Sequence, residues 1–389
     1  MLDTKYTLKT ITNANVLVHS FYQAKKGVSW KGSVQKYELN LLANTYRLKT
    51  ELEQKTYQAK PFVEFPLYER GNARWIKSMH IRDRVVQRTV CDNILLPLIK
   101  PYLIYDNGAS LQNKGIDFAL DRVQLFLKQY YNTYHTNQGY VILVDFTKYF
   151  DNIPHKELYD LFVQDIEDQD LKELLKYLIS LFQIDLSGLP LEKQIEYRNL
   201  FNGLEYSSYI HQHMQDFDNS LELLKSVGIG SQISQLAGIY YPTKIDNYFK
   251  IVQQCKWYER YMDDTLIIVH TLTEAEKLLN DYYILADQLH IHVNKKKTQI
   301  IQLSNGFNFL KVRFILTSTG KVIRKLNKQT FIRARRKMRK LHKKLQKHEI
   351  TMPDIEQSYQ SSLGRMKQFH NYTATHNFIK LYNDLFNQT

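Results

Sequence analysis

The stretch "WYERYMDDTLIIVH", residues 257 to 270, constrains this chain more than any other. Two aspartates stand side by side between two runs of strand-forming residues, and the second run is continuously apolar from Leu266 to Val269. A tight turn at Met262–Asp263 would carry the acidic pair to one end of a sheet. Adjacent carboxylates repel, and burial raises the cost of ionising both, so such a turn needs positive charge brought to it.

A second run, "GYVILVDFTKYFDNIP", is apolar over a strand's length after Gly139, reaches Asp145 and stops at Pro154. If both segments share one sheet, Asp145, Asp263 and Asp264 converge from distant parts of the chain. Three oxygen ligands on rigid strands, with no His or Cys beside them, suit hard divalent cations: Mg²⁺, with Mn²⁺ as a substitute. Two such ions about 4 Å apart activate an attacking hydroxyl and stabilise the leaving oxygen of an in-line displacement. An Asp-Asp pair alone is more often a turn or a cap. Its setting between strands, with a further aspartate ending another strand, favours the chemical reading.

The chain has 389 residues, enough for two or three subdomains, and 43% hydrophobic with 24% charged residues, as in globular proteins. Its 53 Lys and Arg against 39 Asp and Glu give a formal charge of +14, which favours an anionic partner, nucleic acid before others. A basic but merely solvated surface is the alternative. Two cysteines, Cys91 and Cys255, build neither a disulfide framework nor a zinc site, and fit a reducing cytoplasm. No segment reads as a signal peptide or a membrane span. The GxxxxGK[ST], HExxH and GxSxG patterns are absent, which argues against a P-loop NTPase, a zinc protease and a serine hydrolase.

Residues 1–139 read as mainly helical, interrupted at "KKGVSWKGS", "PFVEFPLYERGNARWIKS" and "YDNGASLQNKG". Residues 156–227 read as mostly helical with a polar middle, and "GIGSQISQLAGIYYPTKIDNYFK" as a Gly-punctuated loop leading into a helix. Between Lys321 and Lys347, the residues Phe331, Ala334, Met338, Leu341 and Leu345 form a narrow apolar helical seam. Around it lie Arg333, Arg335, Arg336, Lys337, Arg339, Lys340, Lys343 and Lys344, with no acidic partner at i,i+4 to relieve their repulsion. A solvated face is the bland interpretation; contact with a phosphate backbone is the favoured one.

"YMDD" between apolar strands, preceded by "VDFTKYFDNIPH", resembles motifs C and A of reverse transcriptases. Further segments match in the family's order. "ERGNARWIKSMHIRDRVVQRTVCDNILLPLI" resembles the fingers of bacterial members, "LHIHVNKKKTQI" motif D, "GFNFLKVRF" motif E and "SSLGRMKQFHNY" the thumb. The resemblance covers about residues 20–385. It implies an α+β right-hand polymerase with helical fingers (1–139), an antiparallel-sheet palm (140–320, with an insertion at about 183–222) and a basic helical thumb (321–389).

By the same resemblance, Asp145, Asp263 and Asp264 hold the catalytic metals. Phe150 is an aromatic steric gate against a 2′-hydroxyl, and Lys297 neutralises or protonates the departing pyrophosphate. Arg70 and Arg74 are candidates for the triphosphate, since guanidinium forks match phosphate oxygens, or for the template backbone. Motif B reads Ile229, Gly230, Ser231, Gln232, Ile233, Ser234, Gln235, where group II intron enzymes carry QGxxxSP. The IGxxxSQ form resembles diversity-generating retroelement enzymes, which copy a template RNA with errors opposite adenine. Ile229 supplies shape without hydrogen bonds, Gly230 lets the backbone approach the templating base, and Gln235 completes the motif. Several departures resemble the divergence of phage-defence reverse transcriptases: Gln112 and Asn113 where an Arg is usual, Lys311 where motif E has Gly, and the long 156–227 stretch.

The implied activity is RNA-directed DNA synthesis, in diversity generation or antiphage defence. Implied partners are template RNA, the RNA–DNA hybrid, dNTPs and an accessory protein or noncoding RNA, with no membrane. The alternatives are a non-catalytic RNA-binding protein on the same fold, a retron or template-independent DNA polymerase, and an RNA-dependent RNA polymerase. Retention of all three aspartates speaks against the first, and Phe150 against the last.

Overall fold

The computed structural model describes residues 6–69, 72–188, 190–192, 194 and 222–386. The expected insertion at about 183–222 falls mostly outside them. The chain divides into two compact units, each threaded from several segments. The first comprises Met1–Gln112, Phe146–Gln254 and Asp281–Asn294; the second comprises Asn113–Asp145, Cys255–Asn280 and Lys295–Thr389.

Helices dominate the first unit. Ala14–Ala24 buries Leu17 and Phe21, and Leu41–Glu53 buries Leu48 and Leu52, in each case an i,i+4 pair on one helix face. Ile81–Val90 begins at His80, whose ring accepts the Arg82 amide at 3.2 Å. Asp83 in its first turn is fully buried and accepts from the Tyr57 hydroxyl (2.8 Å), the Lys60 amide (3.0 Å) and Arg82 Nη1 (3.1 Å). The acidic end of the "DRVVQ" run is therefore a packing anchor.

Residues 61–78, which read as an interruption in the sequence, contain a hairpin of β1 (Val63–Glu69) and β2 (Asn72–Ser78), paired from Val63↔Ser78 to Glu69↔Asn72. Val63, Phe65 and Leu67 share one face and are exposed, so burial gives no apolar signature. Pro66 further disguises the strand, because only an edge strand tolerates a missing N–H.

The second unit is organised around a four-stranded antiparallel sheet. Its strands are β3 (Tyr140–Val144), β4 (Tyr258–Tyr261), β5 (Asp264–Val269) and β6 (Gln299–Gln302), in the order β4-β5-β3-β6. Leu266, Ile267, Ile268 and Val269 are all buried, so β5 is covered on both faces and reads as a continuous apolar run. Helix Ile116–Tyr134 buries Ala119, Leu120, Val123, Phe126, Leu127 and Tyr130, a stripe of helical spacing, in one core with Val141, Leu266 and Ile268.

A three-stranded sheet follows, with β7 (Phe307–Phe309), β8 (Val312–Leu316) and β9 (Val322–Leu326) in the order β9-β8-β7. β9 corrects the expectation of a wholly helical segment from residue 321. Val322 and Leu326 are buried at its ends and it pairs along its length with β8, while the basic helix starts only at Lys328. Helices Lys328–Gln346, Met352–Lys367 and Tyr372–Phe386 complete the unit. In the first of these, Phe331 and Met338 are buried, and Ala334, Leu341 and Leu345 pack half-buried on the core, as their spacing predicts. Among the described residues no helix is long and apolar enough to cross a membrane.

Candidate active site

Sheet register brings the acidic residues together. β3 pairs with β5 up to Val144↔Thr265, and with β6 up to Leu143↔Gln299. Continuing the β3–β5 register by one residue sets Asp145 opposite Asp264. Lys297 lies two residues before β6, and its ammonium meets both Asp145 carboxylate oxygens, at 3.0 and 3.2 Å.

Tyr261 pairs with Asp264, so Met262 and Asp263 form a two-residue hairpin loop as the sequence predicts. Met262 lies at φ 54°, a left-handed conformation uncommon outside Gly, Asn and Asp. Fully buried Arg260, two residues earlier, donates from Nη1 to the Met262 carbonyl at 3.0 Å and ties the loop to the sheet.

The electrostatics match an acidic cluster. Burial, followed by the charges of Asp263 and Asp145, pushes Asp264 up to about 7; the Lys297 and Lys311 ammoniums pull the other way. Among the described residues no three His, Cys, Asp or Glu side chains are gathered tightly enough to hold a metal ion as they stand. The chemistry of the donors nonetheless fits a hard divalent cation: all three are carboxylates, their mutual repulsion is expressed on Asp264, and a lysine already spans Asp145.

The other predicted residues are distributed as follows. Phe150 sits, half-buried, in the short helix Tyr149–Asn152 of the first unit. Gly230 has φ 112°, which favours glycine, and a Cβ there would lie 3.6 Å from Ile76 Cγ2 and 3.8 Å from the Lys77 carbonyl oxygen. Half-buried Ile229 precedes it, and Gln235 is exposed on helix Gln232–Tyr240. That helix opens at Ser231, whose hydroxyl accepts the Ser234 amide at 3.0 Å. Arg74 occupies β2 opposite Leu67, and Arg70 lies outside the described residues. On the basic helix of the second unit, Arg333, Arg336, Arg339, Lys340 and Lys343 are exposed, whereas Arg335 and Lys344 are half-buried. Lys344 also reaches Glu349 at 3.4 Å, an acidic partner five residues on that an i,i+4 search passes over.

Sequence reasoning missed two residues at the acidic end. Arg260 gave no signal beyond an arginine in a strand bounded by apolar neighbours. Lys311 was visible only as a departure from the family's motif E glycine, yet its charge acts on Asp264.

A scan against protein families matches residues 60–314 to the family described as Reverse transcriptase (RNA-dependent DNA polymerase). The chain belongs to the reverse transcriptase family. It is an RNA-directed DNA polymerase, a nucleotidyltransferase whose substrates are an RNA template and dNTPs. Reverse transcriptases generally use divalent cations such as Mg²⁺. A search of curated proteins returned no match.

Proposed function

We propose that this reverse transcriptase makes cDNA from one cognate RNA, with Asp145, Asp263 and Asp264 as the catalytic carboxylates. The observation that supports the assignment is the β3–β5 register, which ends at Val144↔Thr265 beside Asp145 and Asp264, with the Lys297 ammonium on the Asp145 carboxylate at 3.0 and 3.2 Å. Asp145 and Asp263 would hold the cations, with Asp264 completing the acidic cluster. Bound there, the cations would acidify the attacking hydroxyl and stabilise charge on the leaving oxygen.

The chain's own groups would supply the rest. Lys297, displaced from Asp145, would present its ammonium to the departing pyrophosphate. Phe150 would exclude a 2′-hydroxyl by sterics, and Arg70 and Arg74 would take triphosphate or template phosphates. The basic helix Lys328–Gln346 would grip the phosphates of the RNA–DNA hybrid through Arg333, Arg335, Arg336, Arg339, Lys340, Lys343 and Lys344. Fingers, palm and thumb at about 1–139, 140–320 and 321–389 remain our proposed functional division.

The biological setting we favour is a bacterial system of the group II intron-like lineage, either diversity generation or antiphage defence. Ile229 at the head of motif B supports the first, because an apolar side chain cannot hydrogen-bond the incoming nucleotide and discrimination falls. The Lys311 and Gln112–Asn113 departures support the second.

Asp263→Asn tests the carboxylate assignment: primer extension should fall roughly 100-fold or more, with RNA binding retained. An active Asp263→Asn enzyme would remove Asp263 from the site. Sequencing the RNA and DNA that co-purify with the protein from its native locus separates the settings. A DNA copy of a template repeat with errors at adenine marks diversity generation. A faithful copy of a noncoding RNA, or an untemplated product, marks defence.

A further inference from the structure

The short helix Tyr149–Asn152 cannot hold itself, since four residues scarcely repay nucleation. Its first flank, Lys148, lies at φ 44° and makes no side-chain cap. The helix is held instead by segment 224–227 of the same unit. The Val227 amide donates to the Phe150 carbonyl (3.0 Å), the Ser226 amide to the Ile153 carbonyl (3.0 Å), and the His155 amide to the Leu224 carbonyl (3.1 Å).

A side-chain link also joins this strap to the helix. Asn152 donates its amide to the Thr147 carbonyl at 3.1 Å, closing the turn that leads into the helix. Its Oδ1 accepts from Lys225 Nζ at 3.3 Å. Lys225 is 3% exposed, an unusual place for an ammonium. Burial pulls its pKa down to about 7, with the Asp151 carboxylate opposing that fall. Asp151 is itself raised by burial, against the charges of Lys148, Lys225 and Lys77. Strain accompanies this arrangement, because Ser226 next to Lys225 has φ 82°. An apolar side chain of similar length would pack here without the desolvation cost, so the lysine is best explained by what it fixes.

We infer that Lys225 is a positioning residue for nucleotide selection: through Asn152 it fixes the short helix that carries Phe150, and so sets where the aromatic ring stands. The inference rests on the reading of Phe150 as the sugar gate. A gate works by contact, and a ring displaced by about 1 Å leaves room for a hydroxyl. Lys225 would therefore govern the choice between deoxy- and ribonucleotides without touching either.

The test is single-nucleotide incorporation of a dNTP and the matching rNTP by wild type, Lys225→Met, Phe150→Ala and the double variant, with kcat and KM measured separately. Phe150→Ala should lose most of the sugar selectivity. Lys225→Met should lower the dNTP-to-rNTP ratio of kcat/KM about tenfold, chiefly by raising kcat/KM for the ribonucleotide. The double variant should match Phe150→Ala alone, since both changes remove the same contact. If Phe150→Ala lowers selectivity and Lys225→Met does not, Lys225 has no positioning role. An equal loss for both sugars would likewise reduce it to a structural residue. Unchanged selectivity in Phe150→Ala would bring down the gate and this inference together. Should Lys225→Met fail to fold, Asn152→Ala cuts the same link and is held to the same outcomes.

Discussion

Tyr261–Asp264 and Phe309–Val312 close two hairpins of the same unit, each through a two-residue loop that holds a non-glycine residue at positive φ. In the first, Met262 is left-handed at 54° and Asp263 carries negative charge. In the second, Leu310 (46°) and Lys311 (69°) are both left-handed, as a type I′ turn requires, and Lys311 carries positive charge. The first turn is tied down by buried Arg260 through the Met262 carbonyl. Both turns act electrostatically on one group, Asp264, in opposite directions. Two strained turns bearing opposite charges on one carboxylate indicate that placement of charge has been favoured over backbone comfort.

Three substitutions would break or sharpen this comparison. The largest effect is expected from Arg260→Met, which removes a fully buried charged donor from the acidic turn. Stability should fall by about 2–3 kcal/mol, read as a lowered denaturant midpoint, and primer extension should fall with it. If activity survives, Arg260 does not hold the acidic loop in its working shape. Met262→Gly should relieve left-handed strain and leave stability level or higher by about 0.5 kcal/mol. Activity should nonetheless drop several-fold, because the loop gains alternatives; equal activity would mean that the turn needs no rigidity. Lys311→Gly should produce the smallest change. A similar gain of about 0.5 kcal/mol is expected, with a modest rise in the Mg²⁺ concentration needed for half-maximal extension if its ammonium helps to balance the acidic end. No change in that requirement would make Lys311 a tolerated substitution rather than a functional one.

The acidic turn was legible because its parts are local. Two strand-forming runs, a two-residue loop and an Asp-Asp pair can be read within fourteen letters, and "YVILVD" announces its partner strand in the same way. The basic helix was legible for the same reason, from the 3–4 spacing of Phe331 to Leu345. What escaped reading depends on partners remote in sequence. β1 was hidden by Pro66 and an exposed apolar face, and β9 by the density of basic residues around it. The buried roles of Arg260 and Lys225 are invisible in composition, since a lysine in "ELLKSV" looks like any surface lysine. Positive φ at Lys311 could have been suspected from the glycine the family keeps there, but its electrical neighbour could not.

Because Asp145 and Asp264 owe their alignment to one strand register, the sheet behaves like a reading frame. Adding or deleting a single residue within Tyr140–Val144 would turn Asp145 to the opposite face and shift it past Asp264. If Asp145 is the catalytic carboxylate we propose, the length of this five-residue strand is a quantity that the reaction itself holds fixed.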